Sequence, residues 1–289
     1  YFVSNLYWIS ISLTFDQNFK FLIPFTILLI PCFLALFYGL VAYLFAVIKP
    51  NKNLSSFFLF SLIFGIVEFL RGSILTGFPW NLIAYSFSNQ IEILNITSII
   101  GTYSFNLFCI SLFISPSIFI LKEKRKDITI CIAFLITTFS FFVYGSQNID
   151  KFHKAKINQH DYNIRIVGSN ISIDRFLFDI DPVSTINELI ETSNLSKDEK
   201  IILIWPEGIL PGLNQDTLIE FDWLFSDKLN KNHILVLGIN SKITENEIIK
   251  YFNSLSIYDH NLNIINSYKK INLVPFGEFL PFERLLKSI

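Results

Sequence analysis

The chain has 289 residues, of which 52% are hydrophobic and 32 are Phe, and its formal net charge is -1. Residues 1–149 carry 8 basic and 5 acidic side chains, whereas residues 150–289 carry 15 and 19. The acidic balance of the second part argues against a nucleic-acid partner. The change in charge density predicts two domains, 1–149 and 150–289, in different physical surroundings.

The first domain is predicted to be a membrane domain with about four transmembrane helices. Each predicted span is apolar and long enough to cross a hydrocarbon core of about 30 Å as a helix. The predicted spans are 21–48, 55–75, 93–121 and 128–149. All of them are free of charged residues except the second, which contains Glu68 and Arg71 on one helix face.

The positions of basic residues predict how these spans are oriented. Lys49 and Lys52 follow the first span, and the sequence KEKRK (122–126) follows the third. Two crossings separate these segments, so both are expected on one side, the cytoplasm, where short loops are enriched in Lys and Arg. The fourth span then carries the chain outward. Residues from about Asp150 onward are therefore expected on the periplasmic side of a bacterial inner membrane.

A polar pair and an aromatic loop are candidates for contacts with lipid. A charge at membrane depth costs about 2.5–3.5 kcal/mol, so Glu68 and Arg71 are expected either to pair with each other or to leave Arg71 facing a phospholipid headgroup. The sequence TGFPW (76–80) predicts an outer loop that holds Phe78 and Trp80 at headgroup level or gates lipid entry to a cleft. Arg71, Phe78 and Trp80 are thus the predicted substrate-binding residues.

The second domain changes to short β-rich runs separated by helical segments. Strands are predicted at 162–171, 200–207, 233–240, 251–259 and 263–274, and helices at 182–195 and 214–231. This alternation is typical of an α/β domain. The last strands follow one another too closely for helices, which predicts a mixed sheet with a hairpin around 259–263.

The sequence KIILIWPEG (200–208) ends a buried strand in a carboxylate. In open α/β sheets, active groups gather at the carboxyl ends of strands. Pro206 stiffens the turn and Gly208 permits an unusual backbone, so Glu207 is expected to be presented to a site. The alternative is that Glu207 only marks a solvated strand end.

The segment YKKINLVPFGEFLPF (268–282) offers a second carboxylate and a cation. Lys269 and Lys270 alternate along a strand, so they are expected on opposite faces, and taken alone they are a solvated pair. Glu278 follows in an apolar setting, where a carboxylate needs a cation or donors nearby. A lysine that faces the same cleft satisfies this need.

No metal or other cofactor is expected. The three cysteines, Cys32, Cys109 and Cys131, fall within predicted spans and are interpreted as small packed or lipid-facing hydrophobic residues. The four histidines, His153, His160, His233 and His260, have no metal-ligand spacing and are interpreted as surface residues.

Three motifs in order, EFLRGSILTGFPW (68–80), WPEG (205–208) and YKKINLVPFGE (268–278), resemble those of the apolipoprotein N-acyltransferases, membrane members of the nitrilase superfamily. The resemblance covers essentially the whole chain. It implies an α-helical transmembrane bundle plus an α/β nitrilase-like (αββα sandwich) extracytoplasmic domain, incomplete here. It also implies phospholipid-dependent N-acylation of the N-terminal diacylglyceryl-cysteine of apolipoproteins. The implied partners are a phospholipid acyl donor, a diacylglyceryl apolipoprotein acceptor and the lipid bilayer.

By the same resemblance, Glu207 is the general base, Lys270 stabilises the tetrahedral intermediate, and Glu278 positions Lys270. The family's third catalytic residue is a Cys in a later strand, and this chain has no Cys after Cys131. We therefore expect a fragment that lacks N- and C-terminal parts and is inactive as given. Two other functions stay open: a membrane-tethered nitrilase-like amidase, in which water replaces the amine, and a non-catalytic membrane scaffold or transporter subunit.

Overall fold

The structure is a computed structural model, and it describes residues 1–15, 17–48, 53–74, 77–120, 126–155, 161–168, 181–245, 248–274 and 278–279. The chain forms two compact units, Tyr1–Lys156 and Ile157–Ile289. The boundary lies beyond the predicted position at residue 149 because the last helix of the first unit continues to Lys154.

The first unit is helical. Its helices are α1 (Phe2–Leu6), α2 (Ile23–Ile48), α3 (Asn53–Arg71), α4 (Ile91–Leu94), α5 (Thr97–Ile100), α6 (Thr102–Ile114), α7 (Ser117–Ile120) and α8 (Lys126–Lys154), with 3-10 turns at Tyr7–Thr14, Gln17–Leu22 and Ile83–Phe87. Among the described residues, 3 helical segments are long and apolar enough to cross a membrane: Gln17–Ile48, Leu54–Arg71 and Ile128–Lys154. These correspond to the predicted spans 21–48, 55–75 and 128–149.

The described residues of the predicted span 93–121 do not form one continuous helix, and whether this segment crosses the membrane stays a prediction. The segment is divided into α4, α5, α6 and α7. Gly101, between α5 and α6, has a φ of 76°, which is outside the helical region. Pro116 lies between α6 and α7 and has no N–H to donate. A hydropathy pattern averages over many residues and does not register such single-residue breaks.

Helices α6 and α7 nevertheless run antiparallel to α3. A Cβ atom on Gly65 would lie 2.8 Å from Leu107, and one on Gly72 would lie 1.7 Å from the Tyr103 hydroxyl. Phe57, Ile118 and Cys131 share one core cluster, so α3 and α8 begin at the same end of the unit. Two membrane crossings between the basic segment before α3 and the basic segment before α8 would also place the starts of these two helices at the same end. Lys49, Lys52 and residues 122–125 lie outside the described residues, and the membrane orientation stays a prediction.

The second unit contains one five-stranded sheet in the order β1-β2-β3-β4-β5. Its strands are β1 (Asn163–Ile166), β2 (Ile201–Trp205), β3 (His233–Glu245), β4 (Ile248–Tyr258) and β5 (Ile264–Lys269). Strands β1, β2 and β3 are parallel, whereas β4 and β5 add in antiparallel fashion. The mixed sheet is therefore confirmed, as is the hairpin around 259–263, where Asp259 N–H donates to the Asn263 carbonyl (3.0 Å).

Among the described residues of this unit, three helices accompany the sheet: α9 (Pro182–Ser193), α10 (Gln215–Leu218) and α11 (Asp222–Phe225). The single helix predicted at 214–231 is interrupted by a 3-10 turn, Ile219–Phe221. The shorter pieces bury Leu218, Leu224 and Phe225 in the core. Of the strand predicted at 162–171, residues 169–171 lie outside the described residues.

The core of this unit lies on one face of the sheet. Ile201, Leu203 and Trp205 of β2 point to the helices and are 0–1% exposed. Ile164 and Ile166 of β1 point to the opposite face and are 66% and 75% exposed. No described element of this unit covers that face, which continues through partly buried side chains of β2 and β3: Ile202, Ile204, Ile234 and Val236.

Candidate active site

The first carboxylate of the site follows directly from the end of β2. Trp205, the last residue of the strand, is 1% exposed, and its indole N–H donates to the Ser193 hydroxyl (3.0 Å). The chain then turns, with Gly208 at a φ of 65°, a conformation that favours glycine. Between these fixed points the Glu207 side chain projects from the sheet and is 62% exposed.

The Glu207 turn packs closely against β3 at Gly238. A Cβ atom on Gly238 would lie 2.7 Å from the Cα atom and 3.2 Å from the N atom of Glu207. Only glycine leaves room for this contact between backbones. The sequence analysis missed Gly238, although an isolated glycine within the strand sequence HILVLGIN indicates a close approach.

Lys270 stands between two carboxylates. It follows the last residue of β5, and its backbone N–H donates to the Asn253 carbonyl (2.8 Å). Its Nζ lies 2.7 Å from Glu278 Oε1 and 3.4 Å from Glu207 Oε1. The neighbouring Lys269 points elsewhere, with its ammonium 4.3 Å from the centre of the Phe252 ring. The expected division of the two lysines between opposite faces is therefore confirmed.

Glu278 is the more enclosed of the two carboxylates, with its side chain 21% exposed. Its Oε2 accepts the backbone N–H of Val274 (2.8 Å), and its own N–H donates to the Val274 carbonyl (2.9 Å). The hydrogen bond from Lys270 lowers the pKa of Glu278, and the same bond raises the pKa of Lys270. Both groups are therefore charged at neutral pH.

Asn253 of β4 joins the two carboxylates, and the sequence analysis missed it. Its Nδ2 donates to Glu207 Oε1 (2.5 Å) and to Glu278 Oε1 (2.7 Å). Asparagine is common in turns, so the type alone gives no signal. Its position does, because the residues on the same face of β4 are otherwise apolar. A single polar side chain on such a face indicates a specific partner.

The cluster has two of the groups that acyl transfer uses, a base and a cation. An exposed carboxylate such as Glu207 accepts a proton, and a fixed ammonium such as Lys270 stabilises an oxyanion. The three cysteines all lie in the helical unit: Cys32 on α2, Cys109 on α6 and Cys131 on α8. Within the described part of the chain, no group of three or more His, Cys, Asp or Glu side chains is suited to hold a metal ion.

In the helical unit, Glu68 and Arg71 form a buried bidentate ion pair. The Nε–Oε1 and Nη2–Oε2 distances are 3.2 and 2.8 Å, and both side chains are 0% exposed. The expected pairing of these residues is therefore confirmed. Arg71 Nη1 also donates to the carbonyls of Phe78 (2.7 Å) and Trp80 (2.9 Å). This arrangement gives Arg71 a structural role, and its contact with a phospholipid headgroup stays a prediction.

Of the two aromatic residues in the loop that Arg71 binds, Trp80 is the exposed one. Trp80 is 46% exposed, and its ring lies 5.2 Å from that of Trp8 in a stacked arrangement. Phe78 packs against the core cluster formed by Phe2, Leu6 and Leu34. Residue 76, at the start of the predicted loop, lies outside the described residues. Lipid contacts of Phe78 and Trp80 stay a prediction.

Comparison with known proteins gives the same family for both units. A family model described as the apolipoprotein N-acyltransferase N-terminal domain matches residues 1–115. The apolipoprotein N-acyltransferase of Rhizobium leguminosarum bv. trifolii is 30% identical over 302 aligned positions, which cover 99% of this chain and 55% of the relative. That of Brucella melitensis biotype 1 is 27% identical, covering 100% and 55%, and that of Rhodopseudomonas palustris is 28% identical, covering 100% and 56%.

The chain thus spans about half the length of the curated relatives it matches. The similarity continues through the segments that carry Glu207, Lys270 and Glu278, because it covers 99–100% of the chain. On these grounds the chain is similar over its whole length to the apolipoprotein N-acyltransferases.

Proposed function

We propose that this chain supplies membrane helices and part of the catalytic domain of an enzyme that N-acylates the N-terminal diacylglyceryl-cysteine of apolipoproteins with a phospholipid as donor. The observation that carries the proposal is the position of Lys270 Nζ, 2.7 Å from Glu278 and 3.4 Å from Glu207. A cation fixed between two carboxylates suits a reaction in which a proton leaves a nucleophile while negative charge develops on a carbonyl oxygen.

In the first half-reaction, Glu207 accepts the proton of a cysteine thiol, and the sulfur attacks the ester carbonyl of the phospholipid. A C–S bond forms, and Lys270 stabilises the oxyanion, a contribution of about 3–4 kcal/mol for a single donor of this kind. The ester C–O bond then breaks. The leaving alkoxide takes the proton from Glu207 and departs as a lysophospholipid. The thiol belongs to a later strand of the family's catalytic domain.

In the second half-reaction, the amino group of the lipoprotein attacks the thioester. A C–N bond forms and the C–S bond breaks. Glu207 relays the amine proton to the thiolate, which restores the starting state. Glu278 holds the Lys270 ammonium in place throughout. Asn253 holds Glu207 and Glu278, because its side-chain amide donates to both carboxylates.

The nitrilase-like sandwich and the membrane topology are parts of the same proposal. The helices of the second unit cover one face of the sheet, and the opposite face carries exposed apolar residues such as Ile164 and Ile166. A second sheet packed there would bury this surface, as an αββα sandwich requires. We assign the protein to the bacterial inner membrane with this domain on the periplasmic side, on the strength of the basic segments that precede α3 and α8.

The test uses the full-length protein from the complete reading frame, reconstituted with a labelled phospholipid. We expect a thioester-linked acyl chain on the enzyme and its transfer to a diacylglyceryl-cysteine peptide. Glu207→Gln and Lys270→Ala are expected to abolish both, whereas Lys269→Ala, the matched lysine on the opposite face, leaves them intact.

Three results would contradict the proposal. The first is the absence of any thioester with a competent phospholipid donor. The second is ammonia release from small amides without lipid, which would identify an amidase instead. The third is unchanged cellular function in Glu207→Gln and Lys270→Ala, as a non-catalytic scaffold or transporter subunit predicts.

A further inference from the structure

The charged cluster lies in the middle of an apolar row on β4. Alternate residues of a strand share a face, and on the face of Asn253 these are Ile249, Tyr251, Leu255 and Ile257. Ile249, Tyr251 and Leu255 are 54%, 66% and 43% exposed. Asn253, the single polar member of the row, binds both Glu207 and Glu278. The site therefore has apolar surface on both sides along the strand.

On one side, this row continues onto a two-stranded arm. Strand β2 pairs with β3 only as far as Leu237, and β5 pairs with β4 only from Ser254 onward. Beyond these points, Ser241–Glu245 and Ile248–Phe252 pair with each other, and no other described strand lies beside them. The arm extends past the sheet and carries Ile249 and Tyr251 on the same face as the charged cluster.

On the β4 strand, the face of the arm is apolar in the direction that leads away from the site, whereas the facing residues of β3 are polar. Lys242 lies opposite Tyr251, but its ammonium is held by Asp216 (3.2 Å). Thr244 lies opposite Ile249. Residues two apart in a strand are separated by about 7 Å, so Tyr251 and Ile249 lie about 7 and 14 Å from Asn253. A long alkyl chain whose carbonyl carbon is at Lys270 would reach both.

We infer that the arm face formed by Ile249 and Tyr251 binds the acyl chain of the lipid donor. This inference rests on the proposed function and names residues of the same site. The other direction along β4 leads over Leu255 to the apolar face of the sheet, where Ile204 and Val236 lie and where the proposed second sheet would pack. The arm instead extends beyond the ends of β2 and β5, the strands that flank β3 and β4 in the sheet. The exposed side chains of Ile249 and Tyr251 are therefore placed to contact substrate.

The experiment measures acyl transfer by the full-length protein with two donors that share a headgroup and differ in acyl length. We expect Tyr251→Ser to raise KM for the long-chain donor about tenfold, because each methylene buried against apolar surface strengthens binding about fourfold. KM for the short-chain donor is expected to change less than about twofold on the same scale, and kcat is expected to stay unchanged. Ile249→Ser should act in the same direction.

Ile243→Ser is the matched control, because Ile243 lies on the opposite face of the same arm, paired with Lys250. Thermal unfolding of each variant tests whether the arm still folds. The inference is overturned if Tyr251→Ser raises KM equally for both donors, or if Leu255→Ser and not the arm variants produces the dependence on acyl length. Absence of transfer by the wild-type protein from either donor would overturn the proposed function and this inference together.

Discussion

Replacing Gly238 with alanine tests whether strand β3 sets the position of Glu207. The added Cβ atom would lie 2.7 Å from Glu207 Cα, well inside van der Waals contact, and the neighbouring atom is backbone and cannot rotate away. The turn must therefore shift outward by about 1 Å, since optimal contacts between carbon atoms are about 3.5–4.0 Å. Such overpacking costs about 1–3 kcal/mol of folding free energy.

This shift of the turn would change the short distances between the Glu207 carboxylate and its two partners. Glu207 Oε1 lies 2.5 Å from Asn253 Nδ2 and 3.4 Å from Lys270 Nζ. A displacement of about 1 Å at a catalytic group lowers the rate about 10²-fold. For full-length Gly238→Ala we expect this loss in kcat for acyl transfer, with KM for the phospholipid donor close to that of the wild type.

Gly168→Ala is the control, because a Cβ atom there meets no atom within 4 Å. It should retain wild-type kcat, while circular dichroism and thermal unfolding confirm that both variants fold. If Gly238→Ala keeps wild-type kcat, the close approach does not determine the position of Glu207, and the argument from this contact is refuted.

Three further predictions concern the charged groups. Because Lys270 lowers the pKa of Glu278 and Glu278 raises that of Lys270, the pair should stabilise the fold between the unfolded pKa values, about 4.3 and 10.4. This stability is lost as pH falls through the folded Glu278 pKa or rises through the folded Lys270 pKa. The test is to measure unfolding midpoints of the wild type and of Glu278→Gln across pH. Midpoints that differ by the same amount at every pH would contradict the prediction. Asn253→Asp should reduce acyl transfer more than Asn253→Ala, because a third carboxylate repels Glu207 and Glu278. It should also shift the acid limb of the kcat–pH profile to higher pH. Equal loss of activity in both variants would show that only the amide donor matters. Arg71→Gln should destabilise the helical unit by about 3–5 kcal/mol, because it leaves Glu68 buried without a partner. In detergent unfolding, the double variant Glu68→Gln with Arg71→Gln should lose less stability than the sum of the two single variants. Additive losses of stability would argue against the pairing.

The sequence predicted the features that depend on patterns over many residues. Long apolar runs predicted the three long helices, and the alternation of β-rich and helical segments predicted the mixed sheet. The alternation of Lys269 and Lys270 also predicted that only one of the two lysines shares a face with the carboxylates, and the family resemblance predicted that it is Lys270. These predictions succeed because burial and strand periodicity act on every residue of an element.

The features it missed depend on single contacts between distant segments. Gly238 and Asn253 contact Glu207 although they lie 31 and 46 residues further along the chain. The sequence next to Glu207 predicts neither contact. The break at Gly101 was hidden in the same way, because one residue with a positive φ does not change the hydropathy of a 29-residue uncharged run. These features depend on individual residues and tertiary contacts, which the composition of a segment does not reveal.

The Glu68–Arg71 pair has a consequence for the energetics of the membrane-spanning part. Its opposite charges lie 2.8 Å apart, so the pair as a whole is electrically neutral. A transmembrane voltage acts with about 2.3 kcal/mol per elementary charge for each 100 mV, and it therefore exerts almost no net force on this anchor. Loss of either partner would leave one net charge at the end of α3, and in a membrane-spanning α3 the transmembrane voltage would then act on the loop that carries Trp80.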